Sequence, residues 1–194
     1  MWHSVTSSDA TGGARRTVLA LMIAGCVLAP CRAWSSDLAT VDEVLAAAFP
    51  DAEVHRESIF LTDDQISAVE RSAGDRPRSA LVTRFRADRG GNAVGWAYLD
   101  THLVRTLPET LVVLVGAEGA IIAIEVVAFR EPTDYLPPGS WYRQFDGRRL
   151  DDDLELKRAI RPITGATLTA LATTAATRRV LAIHTVVEPD GGGR

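Results

Sequence analysis

Cysteine is scarce: the chain of 194 residues has two, Cys26 and Cys31, both within its first 33 positions. Cut after Ala33, it would have none, which removes disulfides, cysteine nucleophiles, zinc–thiolate centres and iron–sulfur clusters together. Long hydrophobic runs are also lacking. None reaches the roughly 18 to 20 uncharged residues of a membrane-spanning helix, so multispan transport is excluded. Nor is there an excess of positive charge. With 21 basic against 25 acidic residues the formal charge is −4, the wrong sign for holding nucleic acid by counterion release. No Cys-x-x-Cys-His and no Gly-x-Ser-x-Gly occurs, so attached c-type haem and serine-hydrolase chemistry have no motif behind them. What the chain does contain is ordinary for a globular protein: 46% hydrophobic and 24% charged residues, enough for one sizeable core.

The first 33 residues read as a leader. A polar start ends in Arg15-Arg16, the segment Thr17 to Pro30 is almost wholly apolar, and small residues follow at Cys31 and Ala33. This is the layout of a secretory signal, with cleavage expected after Ala33. Ile23-Ala24-Gly25-Cys26 also looks like a lipoprotein box, and Arg15-Arg16-Thr17-Val18-Leu19 resembles a twin-arginine signal; an uncleaved anchor is a further alternative. All four imply export, to the periplasm or the outer face of the cytoplasmic membrane. The leader carries three arginines and one aspartate, so the remaining domain, 34–194, would carry a formal charge of −6.

Along that domain the hydrophobic period changes once. Val41 to Phe49 has apolar residues at helical spacing and stops at Pro50, and a second short helix is expected from about Thr62 to Ser72, capped by Thr62 or Asp63. From Ser79 the pattern turns to strands. Ala80 to Arg86 and Ala93 to Leu99 flank Asp88-Arg89-Gly90-Gly91-Asn92, and Thr110 to Val115 and Ile121 to Phe129 flank Gly116-Ala117-Glu118-Gly119, giving two hairpins. Four strands joined by tight turns and flanked by helices make the fold class α+β, a mainly antiparallel sheet in a single domain. Glu131 to Gly147 holds three prolines and four aromatics and is expected to be an ordered loop. A helix is expected from about Asp152 to Ile160. A last one is expected from near Gly165 through Arg179, with Leu168, Leu171, Ala172 and Ala175 on one face.

The stretch that carries chemistry is Ile163-Thr164-Gly165-Ala166-Thr167-Leu168-Thr169. Thr164 stands where an N-cap hydroxyl belongs, and Gly165 and Ala166 leave the first amides of the helix uncovered. Bare amides at a helix start suit a phosphate, because unpaired donors and the helix dipole both favour an anion. The Thr167 hydroxyl reaches the same place. The alternative is that Thr-Gly-Ala-Thr is only a cap followed by small packing residues.

This stretch resembles the flavin-binding domain shared by the flavin-carrying G and C subunits of the Rnf complex and the sodium-pumping NADH:quinone reductase. That family bears a Ser/Thr-Gly-Ala-Thr motif just before a helix, and its last threonine, here Thr167, is joined by a phosphoester to FMN. An exported, magnesium-dependent flavin transferase makes the link from FAD. The resemblance extends upstream. Val112 to Arg130 looks like the family's hairpin, Glu131-Pro132 falls where its Glu-containing loop begins, and the similarity is strongest over 109–187. It implies an exported flavoprotein that relays electrons in a membrane-associated redox chain, with a flavin transferase and a membrane redox partner and no nucleic acid. The cofactor-binding residues it points to are Thr167, Thr164, Gly165, Ala166, Glu131, Tyr135 and Trp141. Of these, Glu131 would supply a polar contact, and Tyr135 and Trp141, together with Tyr142 and Phe145, an apolar cover for the ring. The alternative for the aromatics is a loop pinned to the core.

One position departs from the family. Where it usually has an acid three residues before the Ser/Thr, this chain has Arg161. The acid's loss bears on recognition by the transferase; Arg161 could instead pair with the phosphate of a flavin held without a covalent bond. Lys157 and Arg158 are further candidates near the phosphate, against a solvated face. His102, after a strand, is read as surface or structural, with a pH-sensitive group or a haem ligand as alternatives. Two rival functions stand beside the relay: a reductase with non-covalent FMN, and a flavin-free binding or sensory module on the same fold.

Overall fold

Two helix starts are written in full in the sequence. Thr40 accepts from the Glu43 amide while the Glu43 carboxylate accepts from Thr40, opening α1 (Val41–Ala48). Thr62 and Gln65 do the same for α2 (Asp63–Ala73), which ends at Gly74 with φ of 75°. These are capping boxes, each reciprocally satisfying two otherwise unpaired donors. The computed structural model describes residues 38–189. The leader, with Cys26, Cys31 and the expected cleavage point at Ala33, lies outside the described residues.

The sheet has five strands in sequence order: β1 (Glu53–Phe60), β2 (Leu81–Arg89), β3 (Asn92–Leu103), β4 (Pro108–Gly116) and β5 (Ile121–Phe129). Every neighbouring pair is antiparallel. Both expected hairpins are present, and the fold is a single-domain α+β arrangement. β1 is a correction to the four strands read from the sequence. It pairs with β2 from Glu53↔Asp88 to Phe60↔Leu81, but as an edge strand it exposes five of its eight residues, so its polar composition hid it.

Both faces of the sheet are covered. On one, Ala87, Ala97, Val112 and Leu114 pack with Val44, Leu45 and Phe49 of α1. Gly95 is required there, since a Cβ would stand 2.5 Å from the Phe49 ring. On the other, Trp96, Tyr98, Leu111, Val113 and Val115 meet α2, the loop after β5 and α4 (Thr167–Val187). This double burial explains why β4 reads as a nearly unbroken apolar run.

The loop after β5 is ordered, with 3-10 turns at Thr133–Tyr135 and Arg143–Phe145 around a single helical turn, α3 (Gly139–Tyr142). The helix expected over 152–160 is absent. Lys157 adopts a positive φ of 72°, and bonds such as Ala159 N–H to Asp153 C=O fold the segment into turns that bury Leu154, Leu156 and Ile160. Among the described residues no helix is long and apolar enough to cross a membrane.

α4 corrects the sequence reading twice. It starts at Thr167 rather than near Gly165 and runs eight residues beyond Arg179. Its buried face is also not the one hydrophobicity selects: Leu168 and Leu171 are 49% and 48% exposed, while Thr169, Thr173, Thr174 and Thr177 are buried. We therefore expect Leu171→Ser to shift stability by no more than about 0.5 kcal/mol. Leu181→Ala, at a position 2% exposed, should cost about 2 to 5 kcal/mol. Urea denaturation of the two variants distinguishes the faces.

Candidate functional site

Thr164 and Gly165 form an exposed turn, with Gly165 at φ of 86°, a conformation suited to glycine. Ala166, buried, occupies the cap position, and its carbonyl accepts the first helical bond from Ala170 N–H. No side chain caps α4. Thr164 is therefore not the N-cap that its place in the sequence suggests. The amides of Thr167, Leu168 and Thr169 precede the first helical hydrogen bond, and the dipole of a 21-residue helix begins beside them. Thr167 is exposed, and its hydroxyl donates to Ile163 C=O at 3.2 Å.

Two grooves border Ile163 and Leu171, neighbours of Thr167, though Thr167 itself lines neither. One, of about 530 Å³, is lined by Trp141, Gln144, Arg148, Arg161, Pro162 and Ile163, with no acidic residue in its wall. The other follows the helix face that Thr167 shares with Leu171 and Ala175, and its wall carries Asp75, Asp152 and Glu155 beside Arg158 and Arg178. Of the expected phosphate-side cations, Arg158 is exposed and pairs with Glu155 at 2.9 Å, a solvated local contact. Lys157 is exposed as well.

The expected polar and aromatic residues divide. Thr169 donates to Tyr135 C=O at 2.6 Å, which seats the first 3-10 turn on the start of α4. Tyr135 is half-buried, with the Arg105 guanidinium 5.3 Å from its ring centre. Glu131 is spent on the β3–β4 turn: one carboxylate oxygen accepts from the Thr106 and Leu107 amides, which hold its pKa below the usual carboxylate range. Trp141, Tyr142 and Phe145 are buried and pack edge-on, with Trp141 in contact with both other rings. They pin the loop to the core. Trp141 still borders the groove, its indole N–H held by Arg161 C=O at 2.8 Å.

A cluster that sequence reasoning left unassembled lies between the sheet and the middle of α4. Arg179, 1% exposed, donates to Asp100 from both Nε and Nη2 and also to Asp75. Asp100 accepts from His102 Nδ1 at 2.9 Å, and His102 Nε2 meets Glu109 at 3.0 Å. Glu109 also accepts from Thr173 and from the Tyr142 hydroxyl. With a carboxylate at each ring nitrogen, His102 is an imidazolium. Burial opposes that charge, but Asp100 and Glu109 outweigh it and raise the pKa. Burial likewise opposes ionisation of Asp100, yet His102 and Arg179 hold its pKa below the usual range. His102 is thus structural, and neither ring nitrogen is free to ligate haem. The available signal was alternation: Asp100 and His102 share one face of β3, and His102 pairs in register with Glu109.

A second histidine behaves in the opposite way. His184, 4% exposed, takes a hydrogen bond on Nδ1 from the Tyr98 hydroxyl at 2.9 Å, and burial pushes its pKa down to about 4. Tyr98 in turn accepts from Arg84, which also binds Glu57 and Glu188; burial raises the phenol to about 12. Among the described residues no cluster of three or more potential metal ligands occurs. No family model matches the chain, and no curated protein matches it either.

The two histidines set opposite pH limbs. His102, raised in the folded state, contributes stability that is full below its unfolded pKa of 6.5 and is lost as pH rises through the folded value. His184, depressed, contributes stability that is full above 6.5 and is lost as pH falls towards about 4, by about 3 kcal/mol. Stability should therefore peak near pH 6.5. His102→Leu should lower it by about 3 to 5 kcal/mol and remove the alkaline limb that His102 sets, as read by thermal melts across pH.

Proposed function

We propose that this chain is an exported flavoprotein carrying FMN in phosphoester linkage to Thr167, a relay of electrons more than an enzyme with its own turnover. The observation that carries the reading is the exposed Thr167 hydroxyl at the uncapped start of α4, within Thr164-Gly165-Ala166-Thr167. A phosphate on that oxygen would lie beside three amides with no helical acceptor, where the dipole contributes about 0.3 to 1 kcal/mol in exposed geometry. Ile163 connects the threonine to the groove of Trp141, Arg148 and Arg161. That wall fits the group better than the opposite groove, since two cations and no carboxylate suit an anionic cofactor and an indole edge suits an aromatic ring. FMN would supply reversible electron transfer. The chain's own residues would hold it: Thr167 by the bond, the amides of Leu168 and Thr169 at the phosphate, and Trp141 and the Leu168 side chain as apolar surface.

Attachment requires FAD and a flavin transferase. The Thr167 oxygen would bond to the phosphorus on the riboflavin side of FAD as the pyrophosphate bond broke and AMP left, its hydroxyl proton passing to a base on the transferase. The electron partner would sit at the membrane face of the exporting compartment. Arg161 favours a second reading, in which FMN is held without a bond.

Expression to the periplasm beside a flavin transferase, followed by intact-mass measurement, tests both. We expect a gain of one FMN less one water, abolished by Thr167→Ala and retained with Thr164→Ala. A yellow protein that loses its colour on denaturation without a mass gain would establish the non-covalent reading. A colourless, unshifted protein would overturn both in favour of a flavin-free binding module.

A further inference from the structure

At the far end of α4, the order of hydrogen bonds around Tyr98 fixes a tautomer. Arg84 has only donors, so the Tyr98 oxygen accepts from it. The phenol's single hydrogen then has His184 Nδ1 as its acceptor; were Nδ1 to donate instead, that hydrogen would be buried without a partner. A neutral His184 whose Nδ1 accepts carries its proton on Nε2. That Nε2–H is buried and has no partner.

The orphan stands out because the rest of the helix is in order. Half of the twelve buried residues of α4 are polar, and the others among them are satisfied: Thr169 by Tyr135, Thr173 by Glu109, Thr174 and Thr177 by carbonyls one turn back, Arg179 by Asp100. Native structures leave few such groups unpaired, and a buried unpaired donor costs about 1 to 3 kcal/mol. Trp96 Nε1–H, on the ring that packs 4.9 Å from His184, is a second unpartnered donor.

His184 forms part of the wall of a cavity of about 240 Å³ with Gly119, Arg149, Leu150 and Leu181. A side-chain carbon placed on Gly119 would stand 3.8 Å from both His184 Nε2 and Arg149 Nη1, so one small space lies between imidazole and guanidinium. Gly119 keeps that space open by lacking a side chain, and its φ of 75° keeps other residues out. Arg149 is held there by its own Nη1, which donates to Glu118 C=O, next to a segment fixed by Ile121 N–H to Arg148 C=O and Gly147 N–H to Ile121 C=O. Of the two acids at the rim, Glu188 is taken up by Arg84 and Glu118 pairs with Arg149.

We infer that this cavity binds a small carboxylate, one oxygen accepting from His184 Nε2–H and the carboxylate paired with Arg149 in place of Glu118. A buried neutral donor with no acceptor beside an exposed guanidinium, whose bonds are to the Glu118 carbonyl and carboxylate, calls for an anionic oxygen ligand, not a cation or a purely apolar one. The site is independent of the flavin reading, since seventeen residues of helix at about 1.5 Å each separate Thr167 from His184.

Acetate and pyruvate are the probes, added to the full exported chain and followed by NMR of ¹⁵N-histidine, with chloride at matched ionic strength as control. We expect a saturable shift confined to His184 among the ring nitrogens, with Nε2 keeping its proton, and at least a fivefold weaker affinity in Arg149→Ala, a surface change that leaves the fold in place. Absence of a His184 shift at 100 mM of either probe would overturn the inference, as would equal shifts with chloride or an unchanged affinity in Arg149→Ala. Acetamide separates the remaining case: if it binds as tightly as acetate, the cavity reads a carbonyl and the carboxylate assignment fails.

Discussion

The structure depends on a run of charge buried where a small domain would ordinarily place leucines. Arg179 and His102 face Asp100 and Glu109 at distances of about 2.7 to 3.1 Å, and Glu109 is wholly inaccessible. Removing any one of these charges leaves its partner uncompensated in a low-dielectric interior, which is far costlier than the intact set. The four residues come from β3, β4 and α4, so the arrangement forms only when sheet and helix meet in one register. Apolar contacts tolerate sliding; the Arg179–Asp100 pair, bonded through Nε and Nη2, does not. The register of α4 is set electrostatically, and the hydrophobic contacts on either side fall in line with it.

α4 buries its threonines and not its leading leucines: Thr173 donates to Glu109 and Thr169 to the Tyr135 carbonyl, while Leu168 and Leu171 are about half exposed. The short threonines keep the helix close to the sheet, and those without a partner across the interface bond back to their own helix, as Thr174 and Thr177 do. The cost is an apolar surface beside Thr167, at the end of the helix where no side chain caps the amides.

Much of this was legible and the remainder was hidden for identifiable reasons. β3, β4 and β5 announce themselves by β-branched and aromatic runs between glycine turns, and α1 and α2 by Thr-x-x-Glu and Thr-x-x-Gln. β1 has only three apolar residues among its eight because it borders solvent, so no alternation rises above the polar residues between Glu53 and Ser58. Asp152 to Ile160 has helix-forming composition, but burying Leu154, Leu156 and Ile160 together needs turns that a helix would not supply. His102 was visible as a residue; its partners were not, because Glu109 lies seven residues on and Arg179 seventy-seven, and only the strand register and the helix crossing bring them together. Hydrophobicity chose the wrong face of α4 since the right one is stabilised by polar contacts that no moment along the sequence records.

The same register bears on how the start of α4 should be understood. Had Thr164-Gly165-Ala166-Thr167 served only to begin a helix, a hydroxyl would be expected at the cap, as at Thr40 and Thr62 in this chain. Instead Ala166 sits at the cap, Thr164 stands exposed in the turn before it, and Thr167 bonds backwards to Ile163. Nothing in the packing requires this, because the clamp on Arg179 lies three turns away and would hold the helix whatever stood at its end. An exposed threonine beside amides outside the helical ladder is where the proposed phosphate-bearing group would be attached. The middle of α4 is committed to the core; the chemistry left over is at its ends, a hydroxyl at one and an unpaired imidazole N–H at the other.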